Sequence, residues 1–144
     1  MEKLLDLFAT EYESNGLRIN RLPLTILIVD DSNAQRTLLG YIFRSVGYSV
    51  VEAEDVNSGL EMYRKRLPDV VTMDLVMPGM SGLQGLLEFL DWDYKAKMVV
   101  VSTEAYRETV KKAIANGAKN FFAKPITETN LKQVLTIVKS VAVS

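Results

Sequence analysis

TILIVDDS, residues 25–32, decides the fold class. A short run rich in β-branched residues, without the polar–apolar alternation of a half-exposed strand, reads as a strand buried on both faces. It ends in an acidic pair, Asp30 and Asp31. The same texture returns in YSVVEA (48–53), DVVTMD (69–74), MVVVS (98–102) and NFFA (120–123).

Between these runs the apolar spacing changes to three and four, the period of a helix covered on one face. Leu38, Leu39, Ile42, Phe43 and Val46 mark the first helix, which Gly47 stops. Val56, Leu60, Tyr63 and Leu67 mark the second, ended by Pro68, and Leu83, Leu86, Leu87 and Leu90 mark the third. The fourth is predicted from about Ala105 to Asn116. The fifth presents Leu131, Val134, Leu135 and Val138 behind a Thr127 N-cap. LVMPGMSG (75–82) is a loop by its proline and glycines. Strand and helix alternating five times predict an α/β fold with both sheet faces covered. The arrangement is a doubly wound, flavodoxin-like parallel sheet of five strands in the order 2-1-3-4-5, with five helices.

Composition narrows the chemistry. The 144 residues suit one domain, and a net charge of −1 gives no global case for nucleic-acid binding. Cysteine and histidine are both absent, which excludes disulfides, thiolate chemistry and an imidazole base or ligand. A metal here should be a hard cation on oxygen ligands, and a nucleophile should be a carboxylate, a hydroxyl or a lysine. The start, MEKLLDLFATEYESNG, is broken by Asp6 and Glu11 and is not a signal peptide. No stretch has the length of a membrane helix, so a cytoplasmic protein is expected.

Residues 1–22 stand apart as an N-terminal extension, and residues 23–144 form the main domain. Leu4, Leu5, Leu7, Phe8 and Tyr12 make one stripe of a short helix, over roughly residues 2–14, that Asn15-Gly16 would end. A loose tail, a helix packed on its own domain and a homodimer contact are all readings of this segment.

Polar groups gather where doubly wound sheets bind ligands, outside the carboxyl ends of the strands. Asp30 and Asp31 end the first strand, Asp74 the third, Ser102 the fourth and Lys124 the fifth. Strands one and three are neighbours about 4.8 Å apart, so three carboxylates can converge. Ionised, they repel one another, and a divalent cation with Lys124 resolves the conflict. Each feature has a plainer reading. Asp31 or Ser32 can serve as a helix N-cap, Asp74 as turn chemistry and Lys124-Pro125 as a loop. The conjunction at four strand ends favours phosphoryl chemistry.

These segments resemble the receiver domains of two-component response regulators. ILIVDDS resembles the family's acidic first strand, and VVTMDLVMPGMSG its phosphoacceptor strand and loop. MVVVSTEA resembles its hydroxyl-bearing fourth strand, and GAKNFFAKPI its Lys-Pro strand. The resemblance covers residues 23–144 and implies a phosphorylation-dependent signalling switch rather than an enzyme. Asp74 would accept a phosphoryl group from a sensor histidine kinase or a histidine phosphotransfer protein. Asp30, Asp31, Asp74 and the Val76 backbone carbonyl would hold Mg²⁺, with Mn²⁺ as a substitute. Lys124, Ser102 and Thr103 would contact the phosphoryl group, and Ser102 and Phe121 would be the switch pair. The Lys124-Pro125 bond is expected to be cis. A downstream protein would be met on the face of helix four, strand five and helix five, which includes Lys111, Lys112, Phe122 and Lys132.

Thr103, Phe121 and Ser81 depart from the family's commoner residues, although no essential group is missing. GAKNFFAKPI looks like chemotaxis-type, stand-alone receivers. Two rivals remain at this point. An aspartyl-phosphate hydrolase of the haloacid dehalogenase type would put its first-strand acids two apart, whereas here they are adjacent. A degenerate receiver would bind partners without phosphorylation.

Overall fold

The computed structural model describes residues 23–103 and 106–144. The expected helix of residues 2–14, and any dimer contact through it, lie outside the described residues. Five strands run β1 (Thr25–Val29), β2 (Ser49–Ala53), β3 (Val70–Asp74), β4 (Met98–Ser102) and β5 (Asn120–Ala123). Among the described residues five helices alternate with them. They are α1 (Asn33–Ser45), α2 (Val56–Arg66), α3 (Gly82–Trp92), α4 (Arg107–Ala115) and α5 (Glu128–Val143). All pairings are parallel, in the order β2-β1-β3-β4-β5.

Successive residues on each strand face opposite layers. Ile26, Ile28, Val70, Val99 and Val101 pack against α1 and α5 with Phe43, Leu131 and Leu135. Leu27, Val29, Val71, Met73, Met98 and Val100 pack against α2, α3 and α4 with Leu86 and Phe89. Both faces are therefore covered, which is why the strands read as unbroken apolar runs.

Ser32 caps its helix as one of the two expected candidates, and Asp55 and Ser81 cap theirs in the same way. Ser32 Oγ accepts from the Gln35 N–H at 3.2 Å, Asp55 Oδ1 from the Ser58 N–H at 2.8 Å, and Ser81 Oγ from the Gln84 N–H at 3.3 Å. At α5 the Thr127 N–H donates to Asn130 Oδ1 at 2.7 Å, an asparagine version of the capping box. Gly47, with φ of 96°, ends α1 in a conformation that L residues avoid.

Two expectations need correction. Leu67 is not on the apolar stripe of α2: it is 72% exposed in the left-handed region at φ 45°. Proline at 68 disfavours the helical conformation for its predecessor, so the chain turns out of the helix there. The fourth helix is described over Arg107–Ala115, the expected start near Ala105 lying outside the described residues, and no side chain caps it. Phe122 is buried at 3% in the α1–α5 core and does not belong to the outer face of β5, whereas Phe121 does, at 44%.

At the end of the sheet opposite the strands' carboxyl ends, Trp92 closes α3 with the Arg64 guanidinium 4.2 Å from its ring centre. Nearby, the Tyr63 hydroxyl donates to Asp93 Oδ2 at 2.8 Å and its ring meets Phe89 edge-on. Burial, and then the bond to Asp93, push the Tyr63 phenol well above its usual range, so it remains a donor.

Candidate functional site

β1 and β3 are paired neighbours; the buried Asp30 directly follows β1 and the buried Asp74 ends β3, at 2% and 5% exposure. Asp31, one residue on, is exposed. One carboxylate oxygen from each of Asp30, Asp31 and Asp74 lies within 4.8 Å of the others. The convergence expected from strand ends is therefore present.

Lys124 arrives from the end of β5. Its Nζ donates to Asp30 Oδ2 at 3.0 Å and stands 3.3 Å from Asp74 Oδ2. The Lys124 N–H donates to the Ser102 carbonyl at 2.9 Å, which ties the ends of β4 and β5 together. The Lys124-Pro125 bond is cis. The remaining Asp30 oxygen accepts from the Ser32 N–H at 2.9 Å, and Asp74 Oδ1 accepts from the Val76 N–H at 3.2 Å. Burial raises the Asp74 carboxyl above its ordinary value. The Asp30 charge adds to the rise, and the Val76 N–H and Lys124 oppose it.

The turn after Asp74 leaves room for one residue type at its far side. The Gly82 N–H donates to the Leu75 carbonyl at 3.2 Å, and a Cβ on Gly82 would run into the Asp74 carbonyl oxygen. Glycine at the start of α3 thus lets that helix close directly under the acceptor strand.

Not every expected group faces the carboxylates. The Ser102 hydroxyl, on a residue 4% exposed, donates to the Thr103 carbonyl at 3.1 Å. Thr103 is exposed, and the Val76 side chain faces outward. Phe121 points out over a groove of about 440 Å³ lined by Ser102, Thr103, Arg107, Val110, Lys111, Phe121 and Ala123.

One contributor escaped the sequence reading. Arg36, in the first turn of α1, donates to the Asp30 backbone carbonyl at 2.6 Å. Its sequence signal is a cation at the positive end of a helix dipole, where it needs a specific acceptor.

Three carboxylates against one ammonium leave a surplus of negative charge, and the donors are all oxygen. That set fits Mg²⁺ or Mn²⁺ and suits neither zinc nor copper.

Residues 26–136 match the family profile described as the response regulator receiver domain. The chain belongs to that family. It is 40% identical over 129 residues to the chemotaxis protein CheY of Treponema pallidum, covering 88% of each chain. It is 37% identical to CheY of Thermotoga maritima, over 76% of this chain and 92% of that one. Among solved structures, a chain of the CheX–CheY–BeF3–Mg²⁺ complex from Borrelia burgdorferi superposes with a TM-score of 0.76 at 32% identity. That match covers 83% of this chain and 90% of the other. This receiver domain is a phosphorylation-dependent signalling switch of the chemotaxis type rather than a conventional enzyme. No helix among the described residues is long and apolar enough to cross a membrane.

Proposed function

We propose that Asp74 is the phosphoacceptor of this receiver and that Lys124, Ser102 and Thr103 handle the transferred group. The observation that carries the reading is the Lys124 ammonium set between Asp30 and Asp74, 3.0 and 3.3 Å from their carboxylates. A donor phosphohistidine, on a sensor kinase or a histidine phosphotransfer protein, places its phosphorus against an Asp74 oxygen. The O–P bond forms as the N–P bond breaks, and the imidazole leaves with the electron pair. No base is required, because the acceptor reacts as carboxylate. Asp30, Asp31 and Asp74, with the Val76 carbonyl, hold Mg²⁺, which when bound neutralises charge on the phosphoryl oxygens.

Lys124 then pairs with a phosphoryl oxygen. The Ser102 hydroxyl exchanges the Thr103 carbonyl for another, since the new group adds roughly −1.5 to −2 of charge and strong acceptors. Phe121 turns inward over the groove that it lines, and the outer face of α4, β5 and α5, with Lys111, Lys112 and Lys132, changes its affinity for a protein target. A kinase partner of this kind is consistent with a cytoplasmic location.

The test is incubation with acetyl phosphate and Mg²⁺ followed by intact mass. One phosphoryl per chain is expected, lost on chelation of the metal and in Asp74→Asn. Unchanged labelling of Asp74→Asn would refute the assignment.

A further inference from the structure

Asp30 is held at every polar group. Its N–H donates to the Ala53 carbonyl at 3.1 Å, one carboxylate oxygen takes the Ser32 N–H and the other Lys124. Its carbonyl lies beyond β1, where no strand supplies a partner, and Arg36 Nη1 donates to it at 2.6 Å. Asp31 differs: its side chain is exposed, and no hydrogen bond or ion pair among the described residues holds its carboxylate. Asp31 shares a peptide plane with Asp30, and the direction of the Asp30 carbonyl fixes that plane and with it the place of the Asp31 Cα.

The Arg36 guanidinium is itself constrained. Nη2 donates to Asn33 Oδ1 at 3.0 Å, and Nε lies 3.6 Å from Glu52 Oε1 on β2. The side chain is 13% exposed. A rotamer-rich cation held from three directions is already ordered.

We infer that Arg36 is a positioning residue for the metal site: by gripping the Asp30 carbonyl it sets the Asp30–Asp31 peptide so that the Asp31 carboxylate faces Asp30 and Asp74. The inference rests on the Mg²⁺ reading of those three aspartates. It opposes what charge alone requires. Removing a cation close to a cation site should tighten Mg²⁺ binding electrostatically, whereas losing the grip on the ligand-bearing turn should weaken it. Partners that orient metal ligands typically govern affinity by 10- to 100-fold, so about tenfold weaker binding is expected for Arg36→Met.

The experiment is a Mg²⁺ titration followed by amide chemical shifts in wild type, Arg36→Met, Arg36→Lys, Asp31→Ala and the double variant Arg36→Met/Asp31→Ala. Thermal melts confirm folding, and Arg36→Gln substitutes if the methionine variant does not fold. Arg36→Met should bind about tenfold more weakly and Arg36→Lys, with one donor, should recover part of the loss. In the Asp31→Ala background Arg36→Met should change affinity less than twofold, because the ligand it orients is gone. Equal or tighter binding by Arg36→Met, or the same loss in both backgrounds, overturns the inference while leaving the metal site intact. A wild type that takes up no Mg²⁺, or an Asp31→Ala variant that binds as wild type, overturns the site reading and the role of Arg36 with it.

Discussion

Replacing Asp74 with asparagine should make the metal-free protein more stable. The acceptor carboxylate stands 3.3 Å from the Lys124 ammonium and within 4.8 Å of an Asp30 oxygen. At an effective dielectric constant of about 20, the attraction is about 5 kcal/mol and the repulsion at least about 3.5 kcal/mol. The surplus attraction, at most about 1.5 kcal/mol, is smaller than the several kcal/mol needed to strip a carboxylate of water. Asparagine removes that penalty and keeps an oxygen for the Val76 N–H, and Lys124 keeps its 3.0 Å partner, Asp30. A gain of about 1–2 kcal/mol follows, or roughly 4–8 °C in Tm for a domain of this size.

The pH dependence has a definite sign. Asp74 has a higher pKa in the folded chain than the ordinary 3.8, so the folded state holds the proton more tightly. Between the unfolded and folded values the unfolded chain binds fewer protons, and wild-type stability falls as pH rises through that window. The advantage of Asp74→Asn is therefore full above the folded value and vanishes below the unfolded one. Mg²⁺ stabilises whichever chain binds it, by about 2.7 kcal/mol at a hundredfold excess over Kd, and should narrow or reverse the gap. The assay is thermal melting in chelator and in Mg²⁺ at neutral and acid pH. A variant less stable than wild type in chelator at neutral pH would refute the charge argument.

Gly82→Ala forces a Cβ against the Asp74 carbonyl and Leu75 Cα. It should cost about 3 kcal/mol or more in urea denaturation and slow labelling by acetyl phosphate. Lys124→Met leaves two buried carboxylates without their cation and should cost about 3 kcal/mol in chelator, read by the same denaturation. Tyr63→Phe removes the bond to Asp93 and should cost about 1 kcal/mol with labelling unchanged; a labelling defect would place coupling where none is expected.

The strands were legible because parallel strands covered on both faces leave little room for polar residues, and TILIV and MVVVS show it. The carboxylates were legible for a related reason: polar residues that end such runs must emerge at one rim. Other features depend on register or reach. Phe121 and Phe122 are equivalent by composition, and only the pairing of Val101 with Phe122 assigns the second to the α1–α5 core. Leu67 kept the helical spacing, yet the following proline overrode it. Arg36 bonds a backbone carbonyl six positions back, a contact that side-chain periodicity does not encode.

Trp92 is the chain's one tryptophan, and it closes a helix whose first residue lies beneath Asp74. Eleven residues of helix put roughly 16 Å between the indole and the acceptor. At that separation surface charge is largely screened, and the neighbour that governs the indole's emission is Arg64. Intrinsic fluorescence is therefore blind to metal or phosphate as such. A spectral change on activation would mean that α3 had shifted as a rod against α2, turning an apparently silent chromophore into a gauge of helix displacement.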